Sequence, residues 1–200
     1  MTKTDVISKW ITQNSRVLVL GCGSGEMIKE LSALNRIAGS GIDIDEQKVC
    51  EAISGGLSVI QGDINTDLED WPKKTFDFVI AHDIVQIMNK PDVTIRQMVG
   101  LGKKVIISFP NFAYCQIRFS ILFSGRMPKT KLLPYEWYDT PNIHLFTIKD
   151  FKDFCIKESI FIHSQTFTGL GKKKIPAYLK PDFFAEFAYF LISDTKENAT

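Results

Sequence analysis

Short, nearly continuous apolar runs recur along the chain, separated by stretches in which apolar residues return every three or four positions. Val17-Leu18-Val19-Leu20 is the first run; it stops at glycines, and a helical pattern follows from Glu26 to about Leu34. Ile37 to Ile44 reads as a second strand, followed by a helix from Glu46 to Ile53. Leu57 to Ile60 makes a third strand and Phe76 to Ala81 a fourth. Pro91 falls at the first turn of a helix running to Gly100, where its missing N–H removes no helical bond. Val105 to Phe109 is a fifth strand. Strands that are apolar throughout, rather than alternating, are those covered on both faces. The pattern predicts an α/β fold with a doubly wound, mostly parallel sheet.

The character changes after Pro110. Residues 111–146 hold Pro128, Pro134 and Pro141 among aromatics, so this inserted segment is expected to be largely turns and extended chain. Thr147 is placed to cap a helix from Ile148 to Lys157, with Asp150 as the reciprocal capping side chain. Ile160–His163 and Thr166–Thr168 look like strand material, and Asp182 to Ile192 like a closing amphipathic helix. No repeat, low-complexity tract or linker divides the 200 residues, which read as one domain. A segment inserted after the fifth strand would sit beside the carboxyl ends of the sheet, where such folds bind ligands.

Charge narrows the partners. With 24 Lys and Arg against 23 Asp and Glu, the net charge of +1 offers no broad basic field for nucleic acid or anionic membrane. Phe183–Ile192, the most apolar stretch, carries Glu186 and is too short to span a bilayer. Cys22, Cys50, Cys115 and Cys155 form no C-x-x-C pair and read as reduced thiols. With no apolar segment at the start, a cytoplasmic location is expected. No metal site is expected.

The strongest chemical signal is Gly21-Cys22-Gly23-Ser24-Gly25, directly after a strand and directly before a helix. Glycines permit a tight turn and a close approach of backbone to ligand, and the helix start offers free N–H groups. Alone the motif is weak, since many α/β proteins need glycines for packing. Asp43 strengthens it: it ends the second strand, where a carboxylate accepts ribose hydroxyls. Asp63 follows the third strand, within reach of an adenine amine. Asp45 and Asp67 read instead as helix cap and turn former. A dinucleotide fingerprint wants glycine at position 26, and Glu26 there would repel a pyrophosphate. Gly21, Gly23, Gly25, Asp43 and Asp63 therefore point to an adenosine ligand without phosphates and with a cationic end. S-adenosylmethionine (SAM) fits this description; NAD and FAD do not.

The strand-glycine pattern resembles class I SAM-dependent methyltransferases, whose sheet is Rossmann-like. A narrower resemblance is to the methionine biosynthesis protein MetW family. It is carried by Ser58-Val59-Ile60-Gln61-Gly62-Asp63, Ser108-Phe109-Pro110-Asn111-Phe112, Gly125-Arg126-Met127-Pro128, and Leu133-Pro134-Tyr135-Glu136-Trp137-Tyr138-Asp139-Thr140-Pro141-Asn142-Ile143-His144-Leu145. Phe184-Ala185-Glu186 with Ala188 and Leu191 extends it, and the likeness runs from about residue 15 to 192. It implies a role in bacterial methionine synthesis beside the homoserine O-acyltransferase usually called MetX. Three departures stand out. Val19 occupies a position where methyltransferases usually carry a carboxylate for the cofactor's amino-acid end. Asp83 stands where the family suggests glutamine, and Tyr114-Cys115-Gln116 replaces a His-Trp-Arg-like run, although Arg118 is kept.

Methyl transfer is a direct displacement that needs a base only if the acceptor must lose a proton. His144, in the inserted segment, and His82, after the fourth strand, are the candidates for a catalytic role. For His144 a purely structural role weighs about equally, and His163 reads as structural. Arg118, Arg126, Lys129 and Lys131 form a local basic cluster whose default is solvated surface; facing the crevice, it would bind an anionic group of a small acceptor. Lys172-Lys173-Lys174 reads as loop. Tyr135, Trp137 and Tyr138 are residue types suited to a lid, to packing or to a protein interface. Two functions follow. One is a SAM-binding accessory or regulatory partner of the acyltransferase; the other is a methyltransferase acting on a small-molecule acceptor. Glu26 disfavours a third, a nucleotide-dependent oxidoreductase.

Overall fold

A computed structural model describes residues 2–130, 133–169 and 173–195. Its strands are β1 (Arg16–Leu20), β2 (Ala38–Asp43), β3 (Ser58–Gln61), β4 (Phe76–His82), β5 (Gly102–Pro110), β6 (Phe161–Gly169), β7 (Lys173–Lys174) and β8 (Phe187–Ser193). They form one sheet in the order β3-β2-β1-β4-β5-β8-β6-β7. Strands β1 to β5 are parallel, and β8 runs antiparallel to both of its neighbours. The helices are α1 (Lys3–Ile7), α2 (Glu26–Asn35), α3 (Glu46–Ser54), α4 (Pro91–Leu101), α5 (Cys115–Ser124), α6 (Ile148–Lys157) and α7 (Pro181–Phe184).

Successive side chains of a strand point to opposite faces, so each strand feeds two cores. Leu18, Leu20, Val79, Ala81, Val105 and Ile107 pack with Ile95 and Met98 of α4 and Phe151 and Cys155 of α6. Val17, Val19, Phe78, Ile80 and Ile106 pack on the other face with Ile7 of α1, Ile28 and Leu31 of α2, and Val49 and Ala52 of α3. Two covered faces explain the unbroken apolar runs, as expected for a doubly wound sheet. Helix ends obey local chemistry. Asp45 caps α3 by accepting from the N–H groups of Gln47 and Lys48, Pro91 opens α4, and Thr147 with Asp150 forms a reciprocal capping box on α6.

Two local expectations need correction, for residues 182–192 and for Lys173 with Lys174, and two helices, α1 and α5, add to the pattern. The run from Asp182 to Ile192 is not a closing helix: α7 stops at Phe184, and β8 slots between β5 and β6. A residue run apolar at every position satisfies a strand buried on both faces, and long-range pairing decides. Residues 111–146 are largely turn and extended chain, as expected, and α5 forms where prolines are absent, between Asn111 and Met127. The N-terminal α1 gave no periodic signal; Thr2 and Asp5 cap it reciprocally. Lys173 and Lys174 form a short exposed edge strand on β6 rather than a loop. Lys131 and Lys172 lie outside the described residues. A register irregularity interrupts β6 between Ile162 and Ser164, and the intervening His163 shares a 2.7 Å hydrogen bond with Ser193.

From β1 the chain winds outward through β2 to β3, and from β4 it winds the other way to β5. The crevice between the carboxyl ends of β1 and β4 is therefore the topological switch point, where open α/β sheets place their ligands.

Candidate ligand crevice at the switch point

Gly21, Gly23 and Gly25 all have positive φ, of 62°, 54° and 79°. This left-handed backbone favours glycine in all three, but their surroundings differ. A Cβ on Gly25 would lie 2.1 Å from Leu57, and one on Gly21 would lie 3.1 Å from Ile84. These two glycines let the turn pack on its neighbours. A Cβ on Gly23 would meet only Lys48, at 3.8 Å, so the backbone there faces open space. Of the three, Gly23 leaves room for a ligand to approach.

Asp43 at the end of β2 braces this turn. Its Oδ2 accepts from the Gly23 N–H at 2.6 Å and its Oδ1 from the Asp45 N–H at 3.0 Å, while its carbonyl accepts from Gly62 at 3.0 Å. The ends of β1, β2 and β3 are thus tied together. Ile44, next in sequence, is 67% exposed, an apolar surface beside a charged one. Asp63 is more committed locally: Oδ1 accepts from both the backbone and side-chain N–H groups of Asn65, at 2.8 and 2.7 Å. Its own N–H donates to Asp67, the turn former.

Two cavities open along the carboxyl edge. The first, about 380 Å³, is lined by Gly21, Cys22, Val19, Glu26, Glu30 and His82 together with Thr2, Lys3 and Thr4 of the N-terminal segment. Val19 supplies no carboxylate, but Glu26 and Glu30 bring two to the same wall. Burial and the neighbouring Asp43 push the Cys22 thiol up to about 11, so it stays protonated at neutral pH. Neither Asp43 nor Asp63 lines this cavity; they stand at the carboxyl ends of β2 and β3, outside its wall.

The second cavity, about 470 Å³, lies between Asp83, Gln86 and Ile87 beyond β4, Pro110 of β5, Glu186, Phe187 and Tyr189 at β8, and Pro134, Tyr135, Pro141 and Asn142 of the inserted segment. Lys3 lines both cavities. The insertion does stand over the carboxyl edge, as its place after β5 suggested. Asn111, fully buried, holds this corner: its Nδ2 donates to the carbonyls of Asp182 and Ala185, and its Oδ1 accepts from Ala113.

His82 and His144 are kept apart. The ring of His82 bonds through Nδ1 to Ser108 Oγ, stacks on Tyr189 at 6.3 Å and lines the first cavity. Burial, reinforced by the Lys3 cation, pushes its pKa down to about 3 and keeps the ring neutral. A base that weak gives little driving force for taking a proton near neutral pH. His144 lines neither cavity. Its backbone N–H and that of Ile143 donate to the Gln86 carbonyl at 3.0 and 2.8 Å, and its ring borders a separate small apolar hollow with Val85, Ile95 and Phe146. The basic cluster also separates. Arg118 lies over the Phe183 ring, whereas Lys129 pairs with Glu136 and lines a groove with Arg126, Trp137 and Leu145.

Sequence reasoning missed Lys3, Gln86 and Glu186. The first sits in a helix too short to show periodicity, the second in a single turn after β4 that carries no motif, and Glu186 reaches the cavity only because β8 turns the chain back beside β5. The positive φ of Asp83, 58°, is another such feature.

The mostly parallel sheet with reversed β8 inserted between β5 and β6, and a glycine turn at the switch point, define a class I methyltransferase-type domain. Solved structures agree. A SAM-dependent methyltransferase from Thermotoga maritima superposes with a TM-score of 0.67 at 14% identity, covering 96% of this chain and 87% of that one. One from Archaeoglobus fulgidus gives 0.66 at 15%, covering 95% and 94%. The [4+2]-cyclase SpnF gives 0.65 at 14%, covering 95% and 79%, so the fold by itself does not fix the reaction. The chain belongs to the methionine biosynthesis protein MetW family, whose model matches residues 2–192. A curated relative, the bifunctional methionine biosynthesis protein MetXA/MetW of Rhodopirellula baltica, is 30% identical over 166 residues, 78% of this chain. This chain spans about a quarter of that relative's length, the match covering 27% of it. Among the described residues, no helix is long and apolar enough to cross a membrane.

Proposed function

We propose that this protein binds SAM at the switch-point crevice and serves methionine biosynthesis as an accessory or regulatory partner of a homoserine O-acyltransferase. The observation that carries the SAM reading is the Asp43 carboxylate bonded to the Gly23 N–H beside a turn with open space above it. Asp43 then accepts ribose hydroxyls, Ile44 covers one face of the adenine, and Asp63 receives the exocyclic amine. Glu26 and Glu30 face the ammonium of the amino-acid end, and Lys3 its carboxylate. Gly21, Gly23 and Gly25 shape the turn, with the room at Gly23 and the position of Asp43 at the end of β2 supporting this reading. Bound SAM would supply an electrophilic methyl group and a cationic sulfonium.

The partnership rests on the MetXA/MetW relative, whose name joins both activities in one chain. The exposed aromatic segment supports it: Trp137 is 75% and Phe123 of α5 80% exposed, an apolar surface of the kind that marks interfaces. SAM is the pathway's downstream product, so an accessory protein that senses it makes feedback available. Isothermal titration with SAM tests the first half. Co-purification with the acyltransferase, with and without SAM, tests the second; coupling between the two must be reciprocal.

A methyltransferase reading is favoured by one observation, the second cavity adjoining the first at Lys3. It gains nothing from the histidines, given the weak basicity of His82 and the separate location of His144. Incubation with labelled SAM and a metabolite extract separates the readings: labelled product in excess of protein favours the enzyme.

A further inference from the structure

The second cavity is charged out of balance. Asp83 and Glu186 bring two carboxylates to its wall against the single ammonium of Lys3. Lys3 is shared with the cavity beside the glycine turn, and the nearby His82 ring is neutral, so neither cancels the excess. Neither carboxylate forms an ion pair among the described residues. Asp83 is also held in an unusual way. Its φ of 58° is left-handed, a conformation that aspartate and asparagine adopt more readily than most residues. The conformation is maintained by its N–H, which donates to the Ser108 carbonyl at 2.9 Å, and by Gln86 Nε2, which donates to Oδ1 at 2.7 Å and to the Asp83 carbonyl at 3.0 Å. Burial raises its pKa above the ordinary carboxylate value, and the Gln86 hydrogen bond and the Lys3 cation offset this only in part.

The remaining wall says what kind of cation is missing. Ile87, Tyr135, Phe187 and Tyr189 make much of the cavity apolar and aromatic, and aromatic faces attract ammonium groups. A metal ion would want several oxygen or nitrogen ligands converging, and no group of three or more His, Cys, Asp or Glu with that geometry occurs among the described residues. We propose that this cavity binds a small organic amine in its ammonium form, the charge on the Asp83 and Glu186 side and the apolar body against Tyr135, Phe187 and Tyr189. The inference does not require SAM to be bound.

Ligand-observed NMR and titration calorimetry on the full chain test it with 2-phenylethylamine and with 2-phenylethanol, which has the same body and no charge. The amine is expected to bind saturably, and the alcohol about tenfold or more weaker, as loss of a charge-assisted hydrogen bond implies. Asp83→Asn is the informative variant, because asparagine tolerates positive φ and its Oδ1 still accepts from Gln86. It should weaken the amine roughly tenfold and leave the alcohol unchanged, with Glu186→Gln acting in the same direction. Lys3→Gln should tighten the amine severalfold, a gain that general loss of structure would not produce. Equal affinity for amine and alcohol, an unaltered amine affinity in Asp83→Asn, or no binding of either probe at tens of millimolar overturns the proposal. SAM titrated into the same samples reports separately on the glycine-turn site, so either reading fails without the other.

Discussion

Replacing Asp43 by alanine removes three things at once: an acceptor for the Gly23 N–H at 2.6 Å, an acceptor for the Asp45 N–H at 3.0 Å, and the charge offered to a ribose. The first two bear on stability. The site is only partly buried, so the freed N–H groups can recruit water, and about 1–2 kcal/mol is the expected loss. For a chain of this size that lowers the melting temperature by roughly 2–8 °C. The third bears on binding. A hydrogen bond to a charged acceptor contributes about 1.5–3 kcal/mol, so SAM affinity should fall ~10- to 150-fold. Calorimetric titration with SAM, well below both melting temperatures, separates the two effects. Asp43→Asn sharpens the comparison: it keeps one acceptor oxygen but turns an amide N–H₂ toward the other backbone donor, and should bind SAM nearly as poorly. An Asp43→Ala protein that is folded and binds SAM like the wild type would remove Asp43 from the site and with it the ribose assignment.

Gly23→Arg should abolish SAM binding while the fold survives, since the space there is open but φ is 54°; a melting shift equivalent to about 1–2 kcal/mol is expected, and retained binding would mean the turn serves packing alone. His82 contributes to acid sensitivity. Its pKa falls from about 6.5 unfolded to about 3 folded, so the neutral ring supports the fold at and above neutral pH and that support is lost as pH drops from 6.5 toward 3. The loss is on the order of 5 kcal/mol at most, and Asp83, whose pKa is raised, offsets part of it because its penalty disappears as it is protonated. Denaturant midpoints of His82→Phe should therefore change less between about pH 8 and pH 4 than those of the wild type; parallel curves would refute this. Trp137→Ala should weaken a complex with a homoserine O-acyltransferase roughly 30-fold, equivalent to ~2 kcal/mol, as measured by titration of the co-purified pair. No complex at micromolar concentrations, with or without SAM, would leave the methyltransferase reading ahead.

The parts of the fold legible in the sequence are those decided locally. Val17–Leu20 had to be a covered strand, Pro91 a helix start and Thr147 with Asp150 a cap, because one stretch of chain carries all the chemistry involved. Asp45 as a cap follows the same rule. Phe187–Ser193 was misread because an all-apolar run fits a buried helix or a buried strand, and only its pairing with Val105–Pro110 and Phe161–Thr168 chooses. The site divides in the same way. The glycine turn and Asp43 were legible as a motif, but the split between packing glycines and the open Gly23 depends on Leu57 and Ile84, brought in from elsewhere. Lys3, Gln86 and Glu186 converge from three distant segments and leave no pattern at all.

The place of β8 has a consequence for how the molecule is made. In the sheet order β8 stands between β5 and β6, so when residues 161–169 leave the ribosome the edge of β5 still has no partner and β6 has nothing to join. The five parallel strands can assemble first, but they then present an open, strongly apolar edge, the kind of template on which other chains pair. Phe187 and Tyr189, which close that edge, also form a wall of the second cavity and flank His82. Sheet closure and completion of the cavity are one late event, and a ligand held there would favour the closed form over every earlier one.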